Sequence, residues 1–469
     1  MSNLKFIKAG VSISSVIAKE TILSKIINTV NVFSIDVAHK NFDDLQRKYI
    51  DTILKLDDSK TIILETKWEE ITSKNMTSFI LNEWDSITLE YSSILEDDNS
   101  CLFINYTHIT ELPLGTIMGF EWSSVEFKVI DKSHDIIKLS VVRTGEISLW
   151  QKILFQNYIP KVSFLSEKDK KNVIRWLQSG VNVLSAWSIR THDDVLDMKK
   201  FLQSNNGQGM KVYARLTLEN MNDALEDIIK TSDGIVLHHD DWDNIDEYEW
   251  DLILKIKNYG KPVIIALSEK DAKDTPLLEK RLEFYITMAV DVLTISESVL
   301  NVVESPLDYI QYIFNLLHES ELNYWNNNQV RELDYHKNNI VHEGNYMISL
   351  LPKIIQDTGA KIVLCYTGEG ITAARISALG MDTPLLMFTR DDFSYRYNNL
   401  LRWVKWYKIW QTSTYQIFKQ IGKEMIRIYF KWNISLDDKV IILNIIESEK
   451  DKEVEGIING LEIYKFKNI

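Results

Sequence analysis

Short uninterrupted apolar runs alternate along this chain with longer stretches in which apolar residues recur every three or four positions. The first texture is that of a strand buried on both faces, the second that of an amphipathic helix. Near the start, 18–29 reads as a helix, 30–35 as a strand, 42–56 as a helix and 61–64 as a strand. From 166 onward the same rhythm resumes. A helix over 166–180 opens with Ser-Glu-Lys-Asp, followed by a strand over 181–187, a helix over 193–203, a strand over 211–216 and a helix over 222–231. The strand 234–237, helix 247–259, strand 262–267, helix 278–289 and strand 291–295 continue it. Strand then helix, repeated, implies a parallel sheet or a (β/α)8 barrel.

Two regions break the rhythm. Between 72 and 160 the chain carries short strands such as 125–130 and 136–142, separated by Asp, Ser, Asn and Gly, as expected of an all-β module inserted in an α/β domain. After a long helix over 307–322 and a polar boundary at 323–331, a smaller α/β unit follows. It has helices over 344–359 and 371–379, strands over 361–366 and 385–389, an aromatic amphipathic segment over 395–410, and strands over 440–445 and 461–466.

Within the barrel-like region, a single stretch stands out: Thr231-Ser232-Asp233-Gly234-Ile235-Val236-Leu237-His238-His239-Asp240-Asp241-Trp242. A turn leads into a short buried strand, and the strand ends on a cluster of ionisable side chains, where α/β proteins place their chemistry. A zinc site made of the two histidines is disfavoured, because adjacent strand residues point to opposite faces.

Composition narrows the field. The 469 residues suggest two or three domains. There is no apolar run of the roughly 20 residues a membrane span needs, and the N-terminus has no secretory-signal pattern. A soluble, cytoplasmic protein is expected. The net charge of −14 argues against a nucleic-acid partner, since no local basic patch offsets it. Cys101 and Cys365 have no metal-ligand spacing and read as buried structural thiols. The aromatic run Tyr395, Tyr397, Trp403, Trp406, Tyr407 and Trp410 sits among basic residues, and it reads as packing against the core or a partner in preference to a nucleic-acid stacking platform.

Several segments, in order and spread over nearly the whole chain, resemble the pyruvate kinase family. Asn31-Val32-Phe33-Ser34-Ile35-Asp36-Val37-Ala38-His39 resembles N-V-F-R-L-N-x-S-H, and Leu64-Glu65-Thr66-Lys67 resembles L-D-T-K. Leu165 to Asp169, Ser232 to Ile235 and Gly260 to Ile264 match family sequences almost letter for letter. The resemblance implies a (β/α)8 TIM barrel with an inserted all-β domain and a C-terminal α/β sandwich domain. The expected boundaries are 1–71 with 163–322 for the barrel, 72–162 for the insert and 332–469 for the C-terminal domain.

The family's functional residues map onto altered positions. In the family, an Arg of the first motif contacts phosphate, while the Asn, the Ser and the Asp of L-D-T-K help hold potassium. Here Ser34 stands for the Arg, Asp36 for the Asn, Ala38 for the Ser and Glu65 for the Asp, whereas His39, Thr66 and Lys67 are retained. The family's G-P-E-I-R becomes Trp68-Glu69-Glu70-Ile71-Thr72. The lysine of K-I-E that lies against the transferred phosphoryl is Arg215, and the metal-binding Glu of that motif is Thr217, with Glu219 as a substitute two residues on. The second metal ligand is retained as Asp241, and the threonine of A-T-Q-M is Leu267. The effector loop T-x-S-G-x-T becomes Thr367-Gly368-Glu369-Gly370-Ile371-Thr372, where Glu369 would repel a phosphate.

Phosphoryl transfer depends on positioning and charge neutralisation, so these replacements remove its main contributors. The expectation is a pyruvate kinase homologue that has lost catalysis and serves as a structural or regulatory subunit. It would assemble as a dimer or tetramer with itself or with an active pyruvate kinase paralogue, and would need no cofactor. On that view His39, Lys67, Arg190 and Arg215 are inherited residues held in local ion pairs. The alternatives are a divergent but active pyruvate kinase using Arg215, Glu219 and Asp241 with Mg²⁺ and K⁺, and a binding module for another ligand at the old barrel mouth.

Overall fold

The computed structural model describes residues 7–13, 16–36, 44–66, 71–120, 123–133, 136–147, 151–158, 160, 167–177, 179–187, 189, 191–207, 209–216, 223–238, 248–327, 346–368, 370–381, 383–409, 415–429, 434–445 and 458–469. The chain divides into two compact units, Met1–Lys67 with Glu167–Ile469, and Trp68–Ser166.

The larger unit is built on a closed parallel barrel. Its strands are β1 (Lys8–Ser12), β2 (Val32–Asp36), β3 (Thr61–Thr66), β4 (Val183–Trp187), β5 (Lys211–Leu216), β6 (Gly234–His238), β7 (Val263–Leu267) and β8 (Val292–Ile295). The ring closes where β1 pairs with β8, Gly10 opposite Thr294. Runs such as Ile62-Ile63-Leu64 and Val263-Ile264-Ile265 are apolar throughout because each strand is covered on one side by helices and on the other by the barrel interior.

Alternation along each strand then sorts the side chains. Val32, Ile63, Val183, Tyr213, Val236, Ile264 and Val292, from seven different strands, belong to one buried cluster together with residues of the C-terminal region. This is the interior face at the N-terminal end of the barrel. Two residues further along the same faces come Ser34, Glu65, Ser185, Arg215, His238, Ala266 and Thr294, so the interior turns from apolar to polar toward the strands' C-terminal ends. Glycine is required at two interior positions. A Cβ on Gly10 would overlap the Thr294 hydroxyl, and one on Gly234 would overlap the Tyr213 ring.

The rest of this unit is a sheet ordered β11-β10-β9-β12-β13, made of β9 (Ile362–Tyr366), β10 (Leu385–Thr389), β11 (Val404–Lys408), β12 (Lys439–Ile445) and β13 (Ile458–Lys465). All pairs are parallel except β12 with β13. It meets the barrel at its N-terminal end. Tyr213 and Tyr397 hydroxyls lie 3.1 Å apart with their rings edge to face, and Lys8 Nζ donates to the Val404 carbonyl at 2.8 Å. Asp291, just before β8, is fully buried there: Oδ1 accepts from Arg402 N (3.1 Å) and Ser377 Oγ (3.2 Å), while Oδ2 accepts from Val263 N (2.8 Å) and the Lys257 ammonium.

The smaller unit is all β among its described residues, apart from a single turn of 3-10 helix at Ile109–Glu111. One sheet takes the order Ile153–Phe155, Ile117–Phe120, Glu126–Ser133, Ile136–Arg143, Ser86–Tyr91, Cys101–Ile104, and Gly145–Ile147 pairs with Phe79–Leu81. Its own core is formed by residues such as Leu89, Leu102, Phe127 and Leu139.

The architecture is the (β/α)8 barrel with an all-β insert and a trailing α/β sheet domain that the alternation and the resemblance lead one to expect. Four local expectations need correction. The helix expected over 278–289 spans Thr275–Thr287, its start capped by Asp274 with Pro276 beside it, and a separate short helix, Glu269–Lys273, precedes it where Ser268 and Asp271 form a capping box. The polar boundary expected at 323–331 does not begin there, since the helix Pro306–Asn327 runs through Asn323. The aromatic amphipathic segment expected over 395–410 is divided between elements. A helix Asp392–Tyr397 ends, the chain turns at Trp403 with φ 58°, and β11 follows. Tyr397, Trp403 and Trp406 are buried, so their aromatic surface faces the core. The helix Tyr415–Tyr429, which covers the sheet through Phe418 and Ile426, is one that the apolar pattern did not lead us to expect. Among the described residues, no helix is long and apolar enough to cross a membrane.

Candidate functional site at the C-terminal ends of the barrel strands

Three adjacent strands, β3, β4 and β5, bring the central residues together. In the strand register Glu65 is opposite Ser185 and Trp187 is opposite Arg215, all on the interior face. The Arg215 guanidinium lies 3.5 Å from the centroid of the Trp187 ring, and its Nη1 is 3.9 Å from Glu65 Oε2. Only 6% of the Arg215 side chain is exposed, against 21% for Glu65, so the cation is taken out of water with a carboxylate and an aromatic face among its neighbours. A buried guanidinium needs such compensation.

The neighbouring strands contribute hydroxyls. Ser34 and Ser12 oxygens share a hydrogen bond of 2.7 Å, and Thr66 Oγ1 donates to the Ser185 carbonyl at 3.3 Å. Among the described residues, Ser185 Oγ and Thr294 Oγ1 are buried without a hydrogen-bond partner. Leu267 is fully buried at the end of β7, where its side chain carries no exchangeable proton and its carbonyl accepts from Ser296 Oγ at 2.8 Å. His238 ends β6 and is buried. His39, Lys67, Arg190, Thr217, Glu219 and Asp241 lie outside the described residues, as do the Asp36 side chain and Glu369.

A cation placed at Glu65 would meet the Arg215 guanidinium, which stands 3.9 Å from its carboxylate. Among the described residues no group of three or more His, Cys, Asp or Glu side chains could hold a metal ion.

In the trailing domain, Thr367 and Gly370 form the turn between β9 and the helix Ile371–Ala378. Gly370 N donates to Thr367 Oγ1 at 3.1 Å, and Gly370 has φ 80°, where a Cβ would collide with the Asn398 side chain. Thr372 is buried at the start of the helix. The Thr367 hydroxyl is thus engaged in closing its own loop. Both cysteines are free and buried; burial pushes the Cys101 thiol up to about 11 and the Cys365 thiol higher still.

Motif matching singles out Arg215, Glu65 and Thr66 but passes over Trp187 and Ser185. The available signal for Trp187 was its position: the last residue of a barrel strand faces the site.

A family model for the barrel domain of pyruvate kinase matches residues 11–275. The pyruvate kinase of Staphylococcus haemolyticus is 25% identical over 268 residues, 54% of this chain and 46% of that protein. The one from Borreliella burgdorferi is 21% identical over 387 residues, 77% of each chain. The matched stretch therefore spans about half the length of the first of these relatives. A crystal structure of a pyruvate kinase from Cryptosporidium parvum superimposes with a TM-score of 0.79 at 16% identity, covering 99% of this chain and 96% of that one, which is a likeness of fold. With more than half of its length matched by the barrel model, this chain belongs to the pyruvate kinase family.

Proposed function

We propose that this chain is a pyruvate kinase homologue that no longer transfers phosphoryl groups and acts as a structural or regulatory subunit, assembled with itself or with an active pyruvate kinase. The observation that carries this is the state of Arg215. In the sequence it matches the family's lysine that lies against the transferred phosphoryl, yet its guanidinium is stacked on Trp187 and faces Glu65. Electrostatic catalysis requires donors directed at the developing charge, and this cation is directed at side chains of its own protein. Leu267, in place of a threonine, supports the same view because it can relay no proton. The purified protein is expected to form no pyruvate from phosphoenolpyruvate and ADP in the presence of Mg²⁺ and K⁺. Ordinary turnover would overturn the proposal.

A second reading, a divergent but active pyruvate kinase, is favoured by the survival of a cation at position 215 on the interior face. Under it, turnover requires Arg215 and is lost in Arg215→Met. Co-purification from the native source tests the subunit role itself: recovery of the chain alone, free of any catalytically competent pyruvate kinase and with no self-association, would remove it.

A further inference from the structure

We propose that the turn Asn82–Asp85 of the inserted β unit is a docking surface, with the Trp84 indole as its anchor, for a segment of a partner protein that carries arginine or lysine beside apolar side chains. All of its residues belong to the smaller unit, and it does not depend on whether the barrel site turns over.

Trp84 is 82% exposed, whereas a tryptophan is ordinarily covered over most of its surface. Among the described residues its indole has no hydrogen bond, ring contact or stacked cation. Its backbone has φ 75°, the left-handed region that residues with a Cβ enter at a cost. The turn is nevertheless held firmly. Asn82 N donates to Asp85 Oδ2 (2.7 Å), Glu83 N to Thr144 Oγ1 (3.0 Å), Trp84 N to the Val141 carbonyl (3.0 Å) and Val141 N to the Asp85 carbonyl (2.9 Å). A strained conformation that is fixed by its surroundings and projects a large apolar side chain into water does nothing for the unit's own core. It fits a contact made with another molecule.

Charge names the kind of partner. Glu83 and Asp85 flank Trp84 in the chain and are exposed, and exposed Glu146 pairs across the strands with Ile80, itself 67% exposed. Arg143, the cation adjoining Thr144, is turned to Glu126 at 3.5 Å. Three carboxylates beside exposed apolar side chains attract a cationic segment and repel nucleic acid and anionic membranes. Arginine suits the site because its guanidinium can stack on the indole while its charge meets the carboxylates.

Fluorescence anisotropy on the full chain, with a short labelled peptide alternating arginine and leucine, tests this. The wild type is expected to bind it and Trp84→Gly to bind it at least about tenfold more weakly. Glu83→Gln combined with Glu146→Gln is expected to bind about threefold more weakly, with a flatter salt dependence. Because glycine adopts φ 75° freely, Trp84→Gly is also expected to keep or raise the urea midpoint, which an indole packed for structural reasons would lower. No binding by the wild type, equal binding by Trp84→Gly, equal binding of a glutamate–leucine peptide, or a lowered urea midpoint in Trp84→Gly would each overturn the inference. So would wild-type binding to phosphatidylcholine vesicles that Trp84→Gly abolishes, which would make the occupant a membrane.

Discussion

The two ends of the barrel handle buried charge in opposite ways. At the N-terminal end, facing the trailing sheet, Asp291 receives four hydrogen bonds from backbone, hydroxyl and ammonium donors, and the Tyr213–Tyr397 pair closes the interior. At the C-terminal end, the buried Arg215 is met by the Glu65 carboxylate at 3.9 Å and by the face of an indole, while Ser185 and Thr294 hydroxyls stay buried without hydrogen bonds among the described residues. A fully satisfied buried network fixes a structure, as at Asp291.

The largest test of this contrast is Asp291→Ala, which strands the Lys257 ammonium and three further donors. It is expected to cost about 3–5 kcal/mol in chemical denaturation. A loss under about 1 kcal/mol would show that the N-terminal end is not the stabilising one. Next, Gly234→Ala puts a methyl group into the Tyr213 ring and is expected to destabilise by about 1–3 kcal/mol, since the tightly packed interior cannot yield. A neutral result would mean that the tyrosine pair has room to move.

A third test uses pH. Lys261 donates to the carbonyls of Lys230 (2.9 Å) and Ser232 (2.5 Å) at the same end of the barrel, and burial brings its ammonium down to about 8 from 10.5, with Asp233 opposing the effect and Lys199, Arg375 and Lys211 adding to it. Between those values the unfolded chain holds the proton and the folded chain has released it. Stability contributed by this group therefore rises with pH across that window. Relative to Lys261→Met, the wild type is expected to gain on the order of 1–2 kcal/mol between the two ends of the window in urea unfolding. A constant difference would show that the group is not perturbed.

Smaller still is Tyr397→Phe, which removes one partner of the buried tyrosine pair and is expected to cost about 1 kcal/mol. The smallest effect is expected at the other end. Arg215→Met removes a cation whose carboxylate neighbour remains partly in water, and should change stability by about 1 kcal/mol or less. If it cost as much as Asp291→Ala, the two ends would not differ and the contrast would fail.

Much of the architecture is readable in the chain because it is encoded locally. The strand Lys211–Leu216 coincides with its expected bounds, and most of the other barrel strands differ only by a residue or two at their ends. Motif positions likewise singled out Arg215, Glu65 and Leu267, which lie near the C-terminal ends of β5, β3 and β7. Less of the candidate site was legible. Trp187 reads in the sequence as the last apolar residue of a buried strand, and only the register with β5 shows that it lies against Arg215. The helix Tyr415–Tyr429 is hard to read locally because its apolar positions are interspersed with Lys, Gln and Arg, and its packing partner, the sheet face bearing Phe388 and Leu364, lies far away in the chain.

The sequence alone determined the alternation of strand and helix and the all-β character of the insert. Each of these depends on neighbours within a few positions, where side-chain periodicity of two or 3.6 suffices. The tertiary structure decided which residues meet. Tyr213 finds Tyr397 across 184 positions, Lys8 finds Val404 across 396, and Arg215 turns toward Trp187 and Glu65. Such encounters are set by the register of strands around a closed ring and by the room left inside it, which no local pattern specifies.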